Sequence, residues 1–190
     1  DVYPYLEAFE AGSGGWTSGG TNSTWAQGTP AGLAITGTGD GSDNAWMTSN
    51  LIGYYNNNEQ SYVLGPCFDF TPLVLPYVEL DFANYSENFW DGAQLQYSLD
   101  AGASWEVVGM IGTGDNWYTN YGIGFGFDPD WPFGYPEGWV GSDGSWKTAH
   151  HDISFLAGEP QVQFRIFFAS DGSVNWYDGF AFDNFKIADP

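Results

Sequence analysis

Glycine and proline recur so often along this chain that no long helix is expected in it. The 190 residues include 27 glycines and 10 prolines. No 3.6-residue pattern of apolar positions persists for three turns between them. The chain is therefore predicted to build its structure from short strands and turns.

Short segments in which polar and apolar residues alternate are plentiful. The stretches 78–82, 93–98 and 161–166 alternate as half-buried strands should. Hydrophobic residues make up 43% of the chain, which is enough for a sizeable core. Many short strands separated by glycine-rich turns indicate an all-β fold, a two-sheet antiparallel β-sandwich of the jelly-roll type. With no convincing linker, residues 1–190 are predicted to form one domain.

A long aromatic-rich insertion is predicted at about residues 112–144, where strand alternation is lost. Long loops within compact domains are usually functional. Sugar rings stack their apolar faces on aromatic side chains, and their hydroxyls bind polar neighbours. The candidate residues for such a stacking platform are Trp117, Tyr118, Tyr121, Trp131, Tyr135 and Trp139. The competing interpretation is that many of these rings belong to the core or hold the loop onto the sandwich.

The charge balance excludes several partners. The chain carries 24 acidic and three basic residues, for a net charge of −21. Nucleic acid is excluded because phosphate contacts require Lys and Arg, and polyanionic glycans are repelled unless a metal bridges them. No apolar run approaches the roughly 20 residues that span a bilayer, so no membrane insertion is expected.

The excess carboxylates suggest bound Ca²⁺, which prefers oxygen ligands. Strict alternation would place Asp183 on the same face as Phe185 and Ile187, where a lone carboxylate needs a partner. Glu10 near the start of the chain, and Asp40 and Asp43 in an oxygen-rich turn, are further candidate ligands. The alternative for Asp40 and Asp43 is that they only form Asx turns.

Catalysis is not expected. Glu79 and Asp81 would point the same way from one strand, as catalytic acids of laminarinase-like glycosidases do, but Asn84 stands where a third acid is needed. The adjacent His150 and His151 would point to opposite strand faces. Cys67, the sole cysteine, is expected to be a small buried residue. No catalytic residue is assigned.

The segment 98–105 reads Ser-Leu-Asp-Ala-Gly-Ala-Ser-Trp and resembles the Asp-box hairpin of sialidases and other secreted β-proteins. In this pattern the carboxylate of Asp100 accepts turn N–H groups, Gly102 permits a positive φ, and Trp105 packs beneath the turn. The role it predicts is structural.

A wider set of motifs comprises Phe9-Glu10 followed by Trp16, the segments 54–61, 65–70, 139–146 and 162–166, and the closing strand 179–187. Taken in order, this set resembles the MAM-like and cleaved-adhesin-like jelly-roll domains of secreted bacterial proteins. The resemblance implies a two-sheet jelly roll and a structural Ca²⁺ near the first and last strands. By position it implies Glu10 and Asp183 as ligands, with Asp40 and Asp43 next. It also implies a secreted or cell-surface location within a larger multidomain protein.

Two functions are consistent with these features. The first is a non-catalytic carbohydrate-binding module of a secreted bacterial protein, which binds a neutral polysaccharide by aromatic stacking. The alternative is a structural or adhesion domain of a cell-surface or secreted protein that binds no glycan.

Overall fold

The computed structural model describes residues 2–121, 123, 136–141 and 143–190, which form thirteen strands in two antiparallel sheets. The strands are β1 (Tyr5–Glu7), β2 (Thr17–Thr21), β3 (Ala26–Gly28), β4 (Ala45–Met47), β5 (Gln60–Phe68), β6 (Tyr77–Tyr85), β7 (Gly92–Ser98), β8 (Glu106–Val107), β9 (Asn120–Tyr121), β10 (Glu137–Val140), β11 (Lys147–Asp152), β12 (Val162–Ala169) and β13 (Gly179–Ala188). Two single turns of 3₁₀-helix, at Ser49–Leu51 and Ser154–Leu156, are the helical elements of this part of the chain.

The strand order confirms the predicted sandwich. The first sheet runs β11-β6-β13-β4-β3, with β1 added beside β13. The second runs β2-β5-β12-β7-β10-β9, with β8 added beside β7. The alternating stretches 78–82 and 93–98 lie within β6 and β7, and all of 161–166 except Gln161 lies within β12.

The core forms between the two sheets because alternate residues of their central strands are apolar. Leu80 and Phe82 of β6 and Phe164 and Ile166 of β12 are all fully buried. Burial of one such side chain contributes about 1.5–3 kcal/mol. The core is rich in aromatic rings. The ring centroid of Phe82 lies 5.1 Å from that of Trp139 in a tilted contact and 5.9 Å from that of Phe180 in a stacked contact.

An irregularity in β13 corrects the predicted orientation of Asp183. The pairing of β13 with β6 shifts between Asp183 and Lys186, and Asn184 there has a φ of +49°. Phe182 and Phe185 can therefore both enter the core, although strict alternation would separate them. Asp183 pairs with Asp81, so it lies on the outer face of the sheet and not beside Phe185.

Cys67 also differs from expectation, since its side chain is exposed. The cause is strand alternation in β5, where Phe68 turns into the core and Cys67 turns outward.

None of the described helices is long and apolar enough to cross a membrane.

Candidate functional site

Three connecting segments converge at one end of the sandwich, which we call the loop end: residues 52–58, 86–91 and 171–177. The carboxylate of Asp91 joins them, because Oδ2 accepts a 2.6 Å hydrogen bond from the Tyr55 hydroxyl and Oδ1 accepts one of 2.7 Å from the Asp171 amide. Asn175 Nδ2 donates to the Tyr55 carbonyl at 3.0 Å. These buried bonds fix the three backbones relative to one another.

Carboxylates cluster beneath this end. Glu87, Asp91 and Asp171 bring one oxygen atom each within 4.8 Å of the others, and no other group of three or more carboxylate, His or Cys ligands among the described residues does so. Asp91 is fully buried, and this burial raises its pKa to about 7. Glu87 has a raised pKa for the same reason, and its Oε2 is buried without a hydrogen-bond partner. The cluster has the donors and the spacing to hold a metal ion.

Exposed aromatic residues stand on the three segments that carry and adjoin the cluster. Tyr54, Phe89 and Trp176 are each the immediate or near neighbour of a residue that holds the loops together, yet their side chains are 55%, 55% and 69% exposed. Large apolar rings held in water by a fixed backbone are an arrangement typical of binding surfaces. The loop end therefore offers a surface for stacking against an apolar ligand face.

Three residues of the predicted stacking platform are buried and not exposed. Trp117, Tyr118 and Trp139 are buried, and each donates a hydrogen bond from its ring N–H or hydroxyl to a backbone carbonyl. Their rings pack on one another at centroid distances of 4.9 to 5.5 Å. These three residues present no free ring face, so the predicted surface role is corrected to a packing role.

Tyr121 keeps the exposure that the prediction requires. Its side chain is 56% exposed on β9. The adjacent Asn120 donates a 3.2 Å hydrogen bond to Asn88, which precedes Phe89. Tyr121 therefore adjoins the loop end. Trp131 and Tyr135 lie outside the described residues.

The predicted calcium ligands occupy two neighbouring positions on the outer face of the first sheet. Ser42 connects Asp40 with Asp183, since its amide donates to Asp40 at 2.8 Å and its hydroxyl lies 3.3 Å from Asp183 Oδ2. Asp183 is fully buried, and burial, reinforced by the charges of Asp40 and Asp81, raises its pKa to about 7. Asp40 is exposed, and hydrogen bonds from the Ser42 hydroxyl and amide hold its pKa well below the usual value.

Glu10 and Asp43 lie at the other side of the same turn. Glu10 Oε1 accepts the backbone N–H groups of Asp43 and Asn44 at 3.2 and 2.7 Å. The side chains of Glu10 and Asp43 are both exposed. The structure thus ties Glu10 to the turn that carries Asp40 and Asp43, but the four carboxylates do not meet the spacing found at the loop end.

The possible glycosidase residues are engaged in other contacts. Glu79 pairs with Lys186 at 3.4 Å, and Asp81 accepts hydrogen bonds from Thr148 and Asn184. Asn84 is buried and donates to the carbonyl of Gly141. These side chains form a structural network across β6 and its neighbours.

Asp100 caps the turn between β7 and β8. Its carboxylate accepts the Ser104 amide at 2.8 Å and the Ser104 hydroxyl at 2.6 Å, and these bonds lower its pKa to about 2. Gly102 has a φ of +86°, and Trp105 Nε1 donates to its carbonyl. This turn aligns the edge strand β8.

Sequence reasoning missed Tyr54, Phe89 and Trp176 because each stands in a short loop with no unusual composition. A signal was present in the order of the chain. Each stands in a connection between strands, with an Asn or Asp residue nearby in sequence. Only the pairing of the strands brings the three segments together.

Solved structures similar to this chain share its fold. The K3 cleaved adhesin domain of Lys-gingipain from Porphyromonas gingivalis aligns with a TM-score of 0.55 and 13% identity, covering 98% of each chain. The K1 cleaved adhesin domain of the same protein aligns at 0.53 and 15%, covering 100% of this chain and 99% of that domain.

A third structure, described as a study of promiscuous specificity in carbohydrate-binding modules of the β-sandwich superfamily, aligns at 0.50 and 13% identity. The alignment covers 96% of this chain and 61% of that one. No protein-family model and no curated protein sequence matches the chain. At these identities the likeness defines the fold, a cleaved-adhesin-like jelly roll, and leaves function to be argued from the chain's own residues.

Proposed function

We propose that this chain is a non-catalytic carbohydrate-binding module that binds a neutral polysaccharide at the loop end. The observation that carries the proposal is the group of exposed rings Tyr54, Phe89 and Trp176 on three loops joined by buried hydrogen bonds. Rings held in place before binding lose little conformational freedom when a sugar stacks on them. Tyr121 extends this surface, and Trp131 and Tyr135 remain stacking candidates on the basis of the sequence alone.

A neutral ligand fits the charge of the chain. With a net charge of −21, the protein repels polyanions at long range. Sugar hydroxyls can accept or donate hydrogen bonds without charge, and their C–H faces stack on Trp and Tyr. The structural similarity to β-sandwich carbohydrate-binding modules supports a glycan as the ligand.

Affinity electrophoresis against soluble neutral and acidic polysaccharides tests the proposal. We expect at least one neutral glycan to retard the protein and W176A to abolish most of that retardation. Equal mobility across the whole panel would contradict glycan binding and favour the alternative, a structural or adhesion domain. The cleaved adhesin domains among the similar structures make that alternative the one to test against.

We further propose a structural Ca²⁺ on the outer face of the first sheet, held by Asp183 and Asp40 with Glu10 and Asp43 beside them. The buried carboxylate of Asp183 has Asp40 and Asp81 as charged neighbours, and a hard divalent cation would offset this repulsion. Its contribution would be to hold the 40–44 turn against the last strand.

Thermal melting with and without EDTA tests the metal. Chelation should lower the melting temperature of the wild type, because a bound ion stabilises the folded state by mass action. D183N should respond little to EDTA, whereas D91N, the control in the loop-end cluster, should respond as the wild type does. The opposite pattern would move the ion to Glu87, Asp91 and Asp171, and no shift in any variant would exclude a structural metal.

The proposal extends to the setting of the chain. We infer that residues 1–190 act as one domain, that it belongs to a larger secreted or cell-surface bacterial protein, and that it catalyses no reaction. The engagement of Glu79 and Asp81 in structural contacts supports the last point.

A further inference from the structure

The chain has three basic residues, and one of them has no acidic partner among the residues that the structure describes. Lys147 pairs with Asp143, and Lys186 pairs with Glu79. Arg165, the sole arginine, forms no ion pair among the described residues. In a protein with 24 acidic residues, a partly buried guanidinium without a carboxylate is unexpected, since desolvated charges are normally paired. Burial lowers the pKa of Arg165 to about 10, so it remains charged at neutral pH.

Aromatic rings hold this side chain in place. The guanidinium carbon of Arg165 lies 4.1 Å from the Trp105 ring centroid, 4.9 Å from that of Phe167 and 5.3 Å from that of Tyr62. Cation–π contacts of this kind offset part of the desolvation cost without neutralising the charge.

Hydrogen bonds through the side-chain amides of Gln96 and Gln94 also hold the Arg165 side chain in place. Arg165 Nε donates to Gln96 Oε1 at 2.8 Å, and Gln96 Nε2 donates to Gln94 Oε1 at 3.1 Å. Gln94 in turn donates to the Glu137 carbonyl. The hydrogen bonds of the described residues use only Nε of Arg165. The two terminal nitrogens, which form the fork that binds carboxylates, are left for another acceptor.

Polar and aromatic side chains surround Arg165 on its face of the sheet. Arg165 alternates along β12 with Phe164 and Ile166, which enter the core, so it lies on the outer face of the second sheet. Its register partners are Leu64 on β5 and Gln96 on β7. Tyr62 and Gln163 flank it as half-buried side chains. This face combines a fixed cation, amides and rings.

We propose that Arg165 and the sheet face around it form a second binding site, which takes the single carboxylate of an acidic sugar unit in a glycan. A planar guanidinium with its terminal nitrogens free matches a carboxylate in bidentate geometry. The half-buried Gln163 provides an amide partner for a ring hydroxyl, and Tyr62 offers a ring for stacking.

The ligand's charge is limited by the rest of the protein. A sulfated or phosphorylated chain brings many negative charges toward a protein of net charge −21 and is repelled. One uronate unit brings one charge, which the single guanidinium can match. The site is separate from the loop end and does not depend on glycan binding there.

Nuclear magnetic resonance of the ¹⁵N-labelled protein tests the site directly, because Arg165 gives the only arginine Nε–H signal of the chain. The probes are the methyl glycoside of galacturonate, which carries one carboxylate, and its methyl ester, which has the same ring and hydroxyls but no charge. We expect the acid to shift the Nε–H signal in a saturable way and the ester to leave it in place. W176A should retain the shift, which separates this site from the loop end.

Calorimetric titration of R165K with the same galacturonate glycoside is the second measurement. Lysine keeps the charge but has no fork, so the affinity should fall by about tenfold or more. The proposal is overturned if the acid leaves the Nε–H signal unmoved, if the ester moves it equally, or if R165K binds as tightly as the wild type. The last result would mean that the positive charge alone, without the bidentate fork, accounts for binding.

Discussion

Two groups of aromatic residues in this molecule differ in whether their rings are buried or exposed to solvent. The rings of Trp117, Tyr118 and Trp139, from the aromatic-rich insertion, lie in the core. The rings of Tyr54, Phe89 and Trp176, from ordinary short loops, lie in water. A high density of aromatic residues therefore does not by itself identify a binding surface, and the difference lies in what each segment pairs with.

Strand pairing explains the burial of the first group. Trp139 lies on β10 opposite Ala93 of β7, a small residue that leaves room for the indole beneath it. The indole N–H of Trp117 donates a hydrogen bond to the Val108 carbonyl, and the hydroxyl of Tyr118 donates one to the Leu95 carbonyl. At the loop end, none of the described strands covers the rings, and Asp91 joins the loops by hydrogen bonds. The second group therefore combines exposed rings with hydrogen-bonded loops.

The largest expected effect is on stability at Trp139. W139A should lower the free energy of unfolding by about 3–5 kcal/mol, because it empties a fully packed site between the sheets. W176A should change it by less than about 0.5 kcal/mol, since its ring is mostly in water. Urea denaturation of both variants measures the contrast, and comparable losses would mean that the two groups do not differ in burial.

The second largest effect is expected at Asp91, whose carboxylate joins the loops. D91A should cost about 1–3 kcal/mol, because the buried Tyr55 hydroxyl and Asp171 amide lose their acceptor. It should also weaken glycan binding, since Tyr54 and Trp176 would no longer be held together. A stable D91A protein with unchanged affinity would show that the rings are positioned without Asp91.

The pH dependence of stability gives a related test in metal-free buffer. The pKa of Asp91 is about 7 in the folded protein against an ordinary value of 3.8, so the folded state binds the proton more tightly. Its contribution is complete below pH 3.8 and is lost as the pH rises through 7. The loss of stability between pH 4 and 8 should be smaller in D91N than in the wild type, as measured by denaturation at each pH. Parallel curves would contradict the raised pKa.

The smallest effect is expected at Tyr121. Because this residue only adjoins the loop end, Y121A should weaken the affinity for the retained glycan by roughly threefold, equivalent to under 1 kcal/mol. Titration calorimetry of Y121A and of Y121F, which keeps the ring, measures this. A loss as large as that of W176A would move the centre of the site toward β9.

Much of the fold was predictable from local pattern. Alternation in the segments 78–82, 93–98 and 161–166 identified the central strands β6, β7 and β12, because side-chain orientation in a regular strand depends only on sequence position. The orientation of Asp183 was not predictable. It depends on a register shift beside Asn184, which is visible only once β13 is paired with β6.

The sequence predicted the chemistry of the candidate site but not its position in the fold. Acidic excess and aromatic surplus pointed to oxygen ligands and stacking, and the 40–44 turn does meet Glu10 and Asp183. The convergence of Tyr54, Phe89 and Trp176 depends on contacts such as Tyr55 with Asp91, which are 36 residues apart in sequence. No local motif encodes a contact of that range.

A matched pair of phenylalanines tests the central claim most directly. Phe89 at the loop end and Phe155, between β11 and β12 at the opposite end of the sandwich, are each 55% exposed. In affinity electrophoresis with a glycan that retards the wild type, F89A should lose most of the retardation and F155A should keep it. Equal behaviour of the two variants, or loss in F155A alone, would contradict a glycan site at the loop end.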